Sequence, residues 1–334
     1  MKKILCSGMV NQSKQFEEIN IQWAITRKCN FCCDFCGVYD NNQKELSLED
    51  NMKIIEKIFN IYPSKKKTIV VIGGEPTLYN EYEKILSELI IHKNKEDVIC
   101  LFSNGSENIK KFQNNIHLYE HVIPLFTFHT NNKYGDNALK EKLDILYQNN
   151  ISFKVNMMIM PNNLDIVKSF YKSVEKYHHD NFIFECVPIE QFNSEFLKLN
   201  DYVSFCQYVN NKNSVESFMD VFYQIYDTET KQENIETYTQ SQLKLLSKEY
   251  FKFIGYKCFS RYRLSIDCDG LLYDFCDRCH YDKAKNIDSV LTISIQQLEK
   301  LISEYRLCKH MYCPVCDTSL LYKERLNIKK YKGD

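Results

Sequence analysis

The chain has almost no net charge and no long apolar run. Its 43 Lys and Arg residues balance 44 Asp and Glu residues, which leaves −1 at pH 7. Without a strong field of one sign, nucleic acids and anionic membranes are not expected partners. No apolar run approaches the roughly 20 residues that a membrane span needs, and the run in MKKILCSGMVNQ is too short for an export signal. We therefore expect a cytoplasmic protein with no membrane partner.

Internal repeats, low-complexity tracts and a Walker-type phosphate loop are also missing. Their absence argues against a repeat array and against a P-loop fold. The remaining composition, 44% hydrophobic and 26% charged, is that of an ordinary globular protein. Its 334 residues are enough for one large domain or for two of ordinary size.

Cysteine, by contrast, is abundant, with 15 residues grouped towards both ends of the chain. Four lie between Cys29 and Cys36, and seven lie between Cys258 and Cys316. In a large chain without an export signal, such groups indicate metal ligands in a reducing compartment rather than disulfides. The isolated cysteines are predicted to be small buried hydrophobes; they are Cys6, Cys100, Cys186 and Cys206.

The octet CNFCCDFC at residues 29–36 is the most informative stretch of the chain. Cys29, Cys33 and Cys36 can supply three thiolates from one short loop, enough for three irons of a 4Fe–4S cube. Such a cluster is usually completed by four cysteines, so the fourth iron is left open to a small molecule. Thiolates at short spacing also bind zinc, which is the alternative for this loop.

Apolar runs alternate with amphipathic runs, which predicts strands and helices in turn and hence an α/β fold with a parallel sheet. The predicted strands are 19–26, 68–73, 98–103, 122–129, 152–160 and 182–188. The predicted helices are 47–60, 80–92, 137–149 and 163–177. Active sites of barrel-type α/β folds lie at the carboxyl ends of the strands, and the octet follows the first strand.

A second motif, Gly73-Gly74-Glu75-Pro76, follows the second strand and therefore falls on the same edge. Glycine has no side chain, so the backbone at Gly73 and Gly74 can approach a ligand closely. The carboxylate of Glu75 can accept hydrogen bonds from an ammonium group. Zinc at the octet would not account for this second motif.

The octet and the glycine motif together resemble the radical SAM family, whose signature CxxxCxxC has an aromatic residue, here Phe35, before the last cysteine. Cys32 is extra to that signature. The resemblance implies a partial (β/α)6 TIM-like barrel and S-adenosylmethionine bound at the open iron. Glu75 and the backbone of Gly73–Gly74 would hold its amino end. It further implies a 5′-deoxyadenosyl radical that takes hydrogen from a substrate, and a flavodoxin- or ferredoxin-type reductant.

Four polar residues near the predicted strand ends are further candidates for contact with the cofactor. Ser103 and Asn104 end the third strand in a way that resembles the family's (T/S)NG, although Asn-Gly also favours an ordinary turn. His129, after the fourth strand, is a candidate contact to substrate or cofactor, or a structural residue. Asn156, within an apolar strand, needs a hydrogen-bond partner, either inside the protein or on the ribose or methionine end of the cofactor.

The second cysteine group surrounds an alternating segment, FSRYRLSIDCDGLLYDF, which predicts a β-hairpin turning at Asp269-Gly270. A helix over 294–305 and a CPVC loop follow. This order resembles the Twitch module, the short relative of the SPASM domain, and implies a second, auxiliary 4Fe–4S cluster. Its implied ligands are Cys258, Cys276, Cys313 and Cys316.

Three further cysteines of this group, Cys268, Cys279 and Cys308, are surplus and could replace one of those ligands. A zinc ribbon-like site is the alternative for the whole group. The auxiliary cluster could accept an electron from the substrate radical, which would make the net reaction an oxidation, or could bind substrate.

The organisation predicted from these features is a barrel over 1–226 (core about 19–190), a connector over 227–255 and an auxiliary module over 256–334. The polar stretch 227–250 shows no strand pattern. Substrate is open between a peptide, with or without a separate leader-peptide-binding protein, and a small metabolite such as a sugar or an amino alcohol. A non-catalytic iron–sulfur or zinc protein with an electron-transfer or structural role is the remaining alternative.

Overall fold

The structure is a computed structural model. It describes residues 2–4, 18–33, 36, 40, 42–130, 135–160, 162–178, 182–189, 200–210, 212, 221–227, 233–238, 257–258, 263–274, 286–304, 306–307 and 323–324. Phe35 of the octet lies outside this part of the chain.

Strands are numbered along the chain from β1 (Lys2–Ile4). Consecutive parallel strands form the centre of the main sheet: β2 (Glu18–Thr26), β3 (Lys66–Gly73), β4 (Val98–Ser103), β5 (Val122–Phe128), β6 (Phe153–Ile159) and β7 (Phe182–Pro188). Each of them coincides, to within a residue or two, with a predicted strand. The sheet does not close on itself in the described residues, because β7 ends it on one side and further strands continue beyond β2 on the other. The predicted unclosed parallel barrel is therefore confirmed.

Five of the helices in the described residues lie where the sequence predicts them, and two, at Ile109–Asn114 and Asn200–Asn210, were not predicted. The helices are α1 (Leu48–Asn60), α2 (Tyr82–His92), α3 (Ile109–Asn114), α4 (Gly135–Gln148), α5 (Leu164–Val174), α6 (Asn200–Asn210) and, near the C-terminal end, α7 (Ile295–Ser303). Helix α1 begins where Ser47 accepts a hydrogen bond from the backbone of Asp50. It buries Ile54, Ile55 and Ile58 against the sheet, as its period predicts.

The predicted C-terminal hairpin is present and extends the main sheet. Strands β11 (Arg263–Ile266) and β12 (Leu271–Asp274) are antiparallel, and Gly270 in their turn has φ +79°. A positive φ favours glycine, which is why the turn falls there. Strand β11 lies parallel to β2, and β13 (Asn286–Ser289) pairs with β12. Helix α7 follows, with a capping box between Ser294 and Gln297.

The prediction of no strand in 227–250 was wrong. Strands β8 (Val221–Asp227) and β9 (Glu233–Tyr238) form an antiparallel pair, and β1 pairs with β8. The backbone of β9 pairs with β8, which precedes it in the chain, so the pattern of β9 alone gave little signal. A third sheet, also of three strands, is formed by β10 (Lys257–Cys258), β14 (Arg306–Leu307) and β15 (Lys323–Glu324).

Across the described part of the chain, no helix combines the length and the apolar character needed to cross a bilayer.

Candidate cofactor site at the carboxyl edge of the sheet

The cysteine loop, residues 29–36, leaves the carboxyl end of β2. The thiols of Cys29 and Cys33 are half-buried, whereas those of Cys32 and Cys36 are exposed. The backbone N–H of Cys36 donates to the carbonyl of Cys33 at 2.9 Å, which forms a turn between two predicted ligands. Among the described residues, no group of three or more His, Cys, Asp or Glu side chains is arranged to hold a metal ion.

Hydrogen bonds tie the cysteine loop to the end of β4, where two of the predicted cofactor residues lie. The Asn104 side chain donates to Asn30 Oδ1 at 3.0 Å and lies 3.9 Å from Cys29 Sγ. Asn30 in turn donates to Ser106 Oγ at 2.8 Å. Asn30 and Ser106 were not singled out from the sequence, since nothing in a single sequence pairs residues so far apart.

His129 lies against the cysteine loop. Its Nδ1 is 3.6 Å from Cys33 Sγ, and its ring meets that of Phe31 edge-on at 5.6 Å between centroids. Burial lowers the pKa of His129 to about 4, because the charged imidazolium loses its hydration. Burial also raises the pKa of the Cys29 thiol above its ordinary value.

The two glycines of the second motif are required by a close approach of the chain to itself. The N–H of Gly74 donates to Thr26 O at 2.9 Å, and that of Glu75 donates to Lys28 O at 2.7 Å. A Cβ atom at Gly73 would stand 2.4 Å from Thr26 O, and one at Gly74 would stand 2.2 Å from Lys28 O. Any side chain there would push the second motif away from the cysteine loop.

Glu75 joins this motif to the end of β4. Its side chain is fully buried. Oε1 accepts hydrogen bonds from the backbone and hydroxyl of Thr77, at 3.2 and 2.7 Å, and from Ser103 Oγ at 2.9 Å. Oε2 accepts one from the backbone of Asn104 at 2.6 Å. Burial raises the pKa of Glu75, and these hydrogen bonds oppose the rise. Pro76, also buried, starts the short 3-10 turn that follows.

Asn156 lies on β6 between Thr127 of β5 and Glu185 of β7. Its Oδ1 is buried and has no hydrogen-bond partner among the residues that the structure describes. A buried acceptor without a partner is uncommon and fits a donor on a bound molecule. Closer to the amino end of β6, Lys154 forms a buried ion pair with Glu185, which sequence inspection missed.

These observations test the fit of an iron–sulfur cluster with S-adenosylmethionine. Three cysteine thiols on one loop are the donor chemistry that iron–sulfur clusters use. The glycines keep the neighbouring backbone free of side chains, and Asn156 Oδ1 offers an unfilled acceptor on the same sheet. The residues present therefore fit the group.

Three of the four predicted C-terminal ligands, Cys276, Cys313 and Cys316, lie outside the described residues, as do the surplus cysteines Cys279 and Cys308. The backbone of Cys258 lies in β10. Cys268 is buried in the hairpin turn, 3.9 Å from Lys44 O, and burial raises its pKa to about 12. Of the isolated cysteines, Cys100, Cys186 and Cys206 are buried as predicted, and Cys6 lies outside the described residues.

Comparison with known proteins agrees with this geometry. Residues 23–174 match the family model of the radical SAM superfamily. The S-adenosylmethionine-dependent nucleotide dehydratase of Fibrobacter sp. (strain UWH6) is 30% identical over 169 residues, which cover 44% of this chain and 49% of that protein. The chain therefore spans about half the length of this curated relative.

Solved structures share the fold over most of the chain. Hexahistidine-tagged anSMEcpe with bound AdoMet aligns with a TM-score of 0.57 at 12% identity, covering 91% of this chain and 88% of that one. Streptococcus suis SuiB bound to S-adenosylmethionine gives 0.54 at 12% identity, covering 91% and 69%. SuiB bound to precursor peptide SuiA gives 0.56 at 13% identity, covering 94% and 71%. At such identities the likeness concerns the fold.

Proposed function

We propose that this chain, with its radical SAM domain at residues 23–174, is an S-adenosylmethionine-dependent iron–sulfur enzyme. Cys29, Cys33 and Cys36 would hold a 4Fe–4S cluster to which S-adenosylmethionine binds. When bound, this pair supplies the one-electron cleavage that releases a 5′-deoxyadenosyl radical for hydrogen abstraction. The electron comes from a flavodoxin- or ferredoxin-type protein.

The observation that carries the proposal is the joining of three segments at one edge of the sheet. The end of β4 is hydrogen-bonded to the cysteine loop and to the Gly73–Pro76 motif, and that motif is hydrogen-bonded to Lys28, directly before the loop. Glu75 N contacts Lys28 O at 2.7 Å, and Asn104 contacts Asn30 at 3.0 Å. A zinc site at the cysteine loop would need neither the glycines nor this contact.

The protein's part is to bind and orient the cofactor. Glu75 and the backbone of Gly73–Gly74 hold its amino end. Glu75 Oε2 accepts one bond within the protein, from Asn104 N, and a carboxylate oxygen can accept a second. Asn156 Oδ1 accepts from the ribose or methionine end, which would fill its missing partner. Ser103, Asn104 and His129 shape the wall between these points.

Anaerobic reconstitution tests this proposal. The purified chain with S-adenosylmethionine and reductant is expected to form 5′-deoxyadenosine. Cys33→Ala should abolish its formation, while Cys32→Ala, which changes an exposed neighbouring thiol, should not. Loss of activity in both variants, or in neither, would show that the ligands are assigned wrongly.

For the C-terminal cysteines we propose an auxiliary 4Fe–4S cluster held by Cys258, Cys276, Cys313 and Cys316. The support is their spacing around the hairpin that the structure contains. Two clusters of this type predict about eight irons per chain. Cys313→Ser should lower the count to about four and leave cleavage of S-adenosylmethionine intact. If wild-type protein contains zinc instead of iron at this site, the metal there is structural and the proposed auxiliary cluster is wrong.

Two substrate classes have support, and a direct assay separates them. A nucleotide is supported by the name of the Fibrobacter relative, and a peptide by the fold shared with SuiB, which was solved with its precursor peptide. Nucleoside triphosphates and short peptides encoded beside the gene can each be incubated with the reconstituted enzyme. Substrate-dependent formation of 5′-deoxyadenosine with one class only would identify it. If neither class increases the formation of 5′-deoxyadenosine, we expect the substrate to be a small sugar or an amino alcohol.

A further inference from the structure

The base of the cysteine loop is bound to the turn of the C-terminal hairpin. We call residues 26–28 the leading stem of the loop and residues 42–46 its return stem, and we call residues 267–270 the hairpin turn. Arg27 of the leading stem donates from Nε to Asp267 Oδ1 at 3.0 Å, and its Nη2 contacts Oδ2 of the same carboxylate. The Asp267 side chain is fully buried. The two residues are 240 positions apart in the sequence.

The return stem contacts the same turn. Leu46 donates its backbone N–H to Cys268 O at 3.0 Å, and the Gln43 side chain donates to Asp269 Oδ2 at 3.3 Å. A Cβ atom at Gly270 would lie 3.2 Å from the Leu46 side chain. Both stems of the cysteine loop therefore pack against one turn of the hairpin.

The two stems are also joined to each other. Glu45 accepts from Lys28 Nζ at 2.7 Å and from the Thr26 hydroxyl, and Asp40 donates its N–H to Arg27 O at 3.2 Å. Lys28 is largely exposed, so its ion pair with Glu45 contributes little. Of the contacts that hold the two stems and the hairpin turn together, the buried contact of Arg27 with Asp267 is the strongest.

Physical chemistry explains why Arg27 and Asp267 depend on each other. A buried carboxylate is costly unless it is paired and hydrogen-bonded. A guanidinium that contacts both carboxylate oxygens fixes direction as well as distance. Strand β11 pairs in parallel with β2, with Ile266 opposite Trp23, so the hairpin turn emerges at the edge where the leading stem begins.

We propose that Arg27 and Asp267 are a positioning pair for the proposed iron–sulfur cluster. The pair fixes the leading stem, and through it the return stem, so that the loop between them presents Cys29, Cys33 and Cys36 to one cluster. Neither residue touches the cluster. This inference rests on the proposed function, and it makes the C-terminal hairpin part of the N-terminal metal site.

Asp267→Asn is the first variant, because it keeps the shape of the side chain and removes its charge. Arg27→Lys is the second; it keeps the positive charge, loses the two-point contact and is the milder change if the first fails to fold. Asp97→Asn is the matched control. Asp97 is also buried and accepts hydrogen bonds from the backbones of Lys67 and Asn94, at 2.7 and 2.8 Å, but it precedes β4 at the opposite edge of the sheet.

The first readout is hydrogen exchange of the full chain. The amides of Asp40 and Leu46 should exchange about tenfold faster in Asp267→Asn and Arg27→Lys, the factor expected for one lost charge-assisted hydrogen bond. The control should leave both amides unchanged. In wild-type protein both amides should be protected, and exchange at the rate of an open loop would overturn the proposal without any variant.

The second readout is the spectrum of the reconstituted cluster on addition of S-adenosylmethionine. Both variants should lose at least about half of the responsive cluster, and the control should lose none, although all three become less stable. If the variants are destabilised only as much as the control and keep wild-type exchange and spectra, the pair is merely structural. If wild-type protein shows no such spectral response, the proposed function fails, and the exchange result still decides whether the pair fixes the stems.

Discussion

Glu107 makes the stability of this protein depend on pH in a direction that can be measured. Its carboxyl group is buried behind the Ser103–Gly105 turn, and burial raises its pKa to about 7. Oε1 accepts from the Tyr82 hydroxyl, whereas Oε2 is buried and finds no hydrogen-bond partner in the described part of the chain. Lys111 and Lys142 lower the pKa, and the charge of Glu75 raises it, but desolvation dominates.

The sign follows from proton binding. The folded state keeps the Glu107 proton up to about pH 7, whereas the unfolded chain releases it near pH 4.5. The folded state thus binds more protons between these values, so the free energy of unfolding falls as pH rises through the window. The rise of this pKa from 4.5 to about 7 corresponds to about 3 kcal/mol in the free energy of unfolding. About 2 kcal/mol of this stability is lost between pH 5.5 and 8.

Urea unfolding of wild-type protein and Glu107→Gln at several pH values measures this contribution. Glutamine can still accept from Tyr82, and any cost of its buried amide is the same at every pH. Between pH 5.5 and 8, the free energy of unfolding of wild-type protein should fall by about 2 kcal/mol more than that of the variant. Glu75, whose pKa is also raised, titrates in both proteins and largely cancels from the difference. Parallel stability curves for the two proteins would refute the reasoning.

Two further changes should act on stability in predictable ways. Gly74→Ala places a Cβ atom 2.2 Å from Lys28 O, so the second motif must shift. Urea unfolding should show that the free energy of unfolding falls by about 3 kcal/mol or more. A fall below about 1 kcal/mol would contradict the close approach. Lys154→Met leaves Glu185 buried without its ion-pair partner and should cost about 3–5 kcal/mol. The double variant Lys154→Met with Glu185→Leu should recover most of that loss, and a double variant as unstable as the single one would argue against the pairing.

The sequence predicted the central architecture because each parallel strand carries its own signal. Short β-branched runs such as 68–73 alternate with amphipathic helical runs, and both patterns are local. Strand β9 was missed because its stability comes from pairing with β8, a non-local interaction that polar composition conceals. The hairpin was predicted, but its parallel pairing with β2 was not, since the pattern of an isolated strand does not name its neighbour.

The candidate site divides in the same way. The cysteine loop and the Gly73–Pro76 motif were singled out from their residues and from the family that they resemble. The reason for the glycines was only partly foreseen: they allow the motif to approach the carbonyls of Thr26 and Lys28, in addition to any ligand. The contact of Arg27 with Asp267 spans 240 positions, and no periodic pattern or motif connects them.

The two faces of β6 contribute differently to the stability of the sheet. Phe153, Val155, Met157 and Ile159 are buried and alternate with Lys154 and Asn156, so the strand has one apolar and one polar face. A buried ion pair adds little net stability compared with apolar packing, and an unpaired amide oxygen subtracts from it. The apolar face therefore contributes most to the stability of β6, whereas the polar face carries the acceptor that we propose for the cofactor.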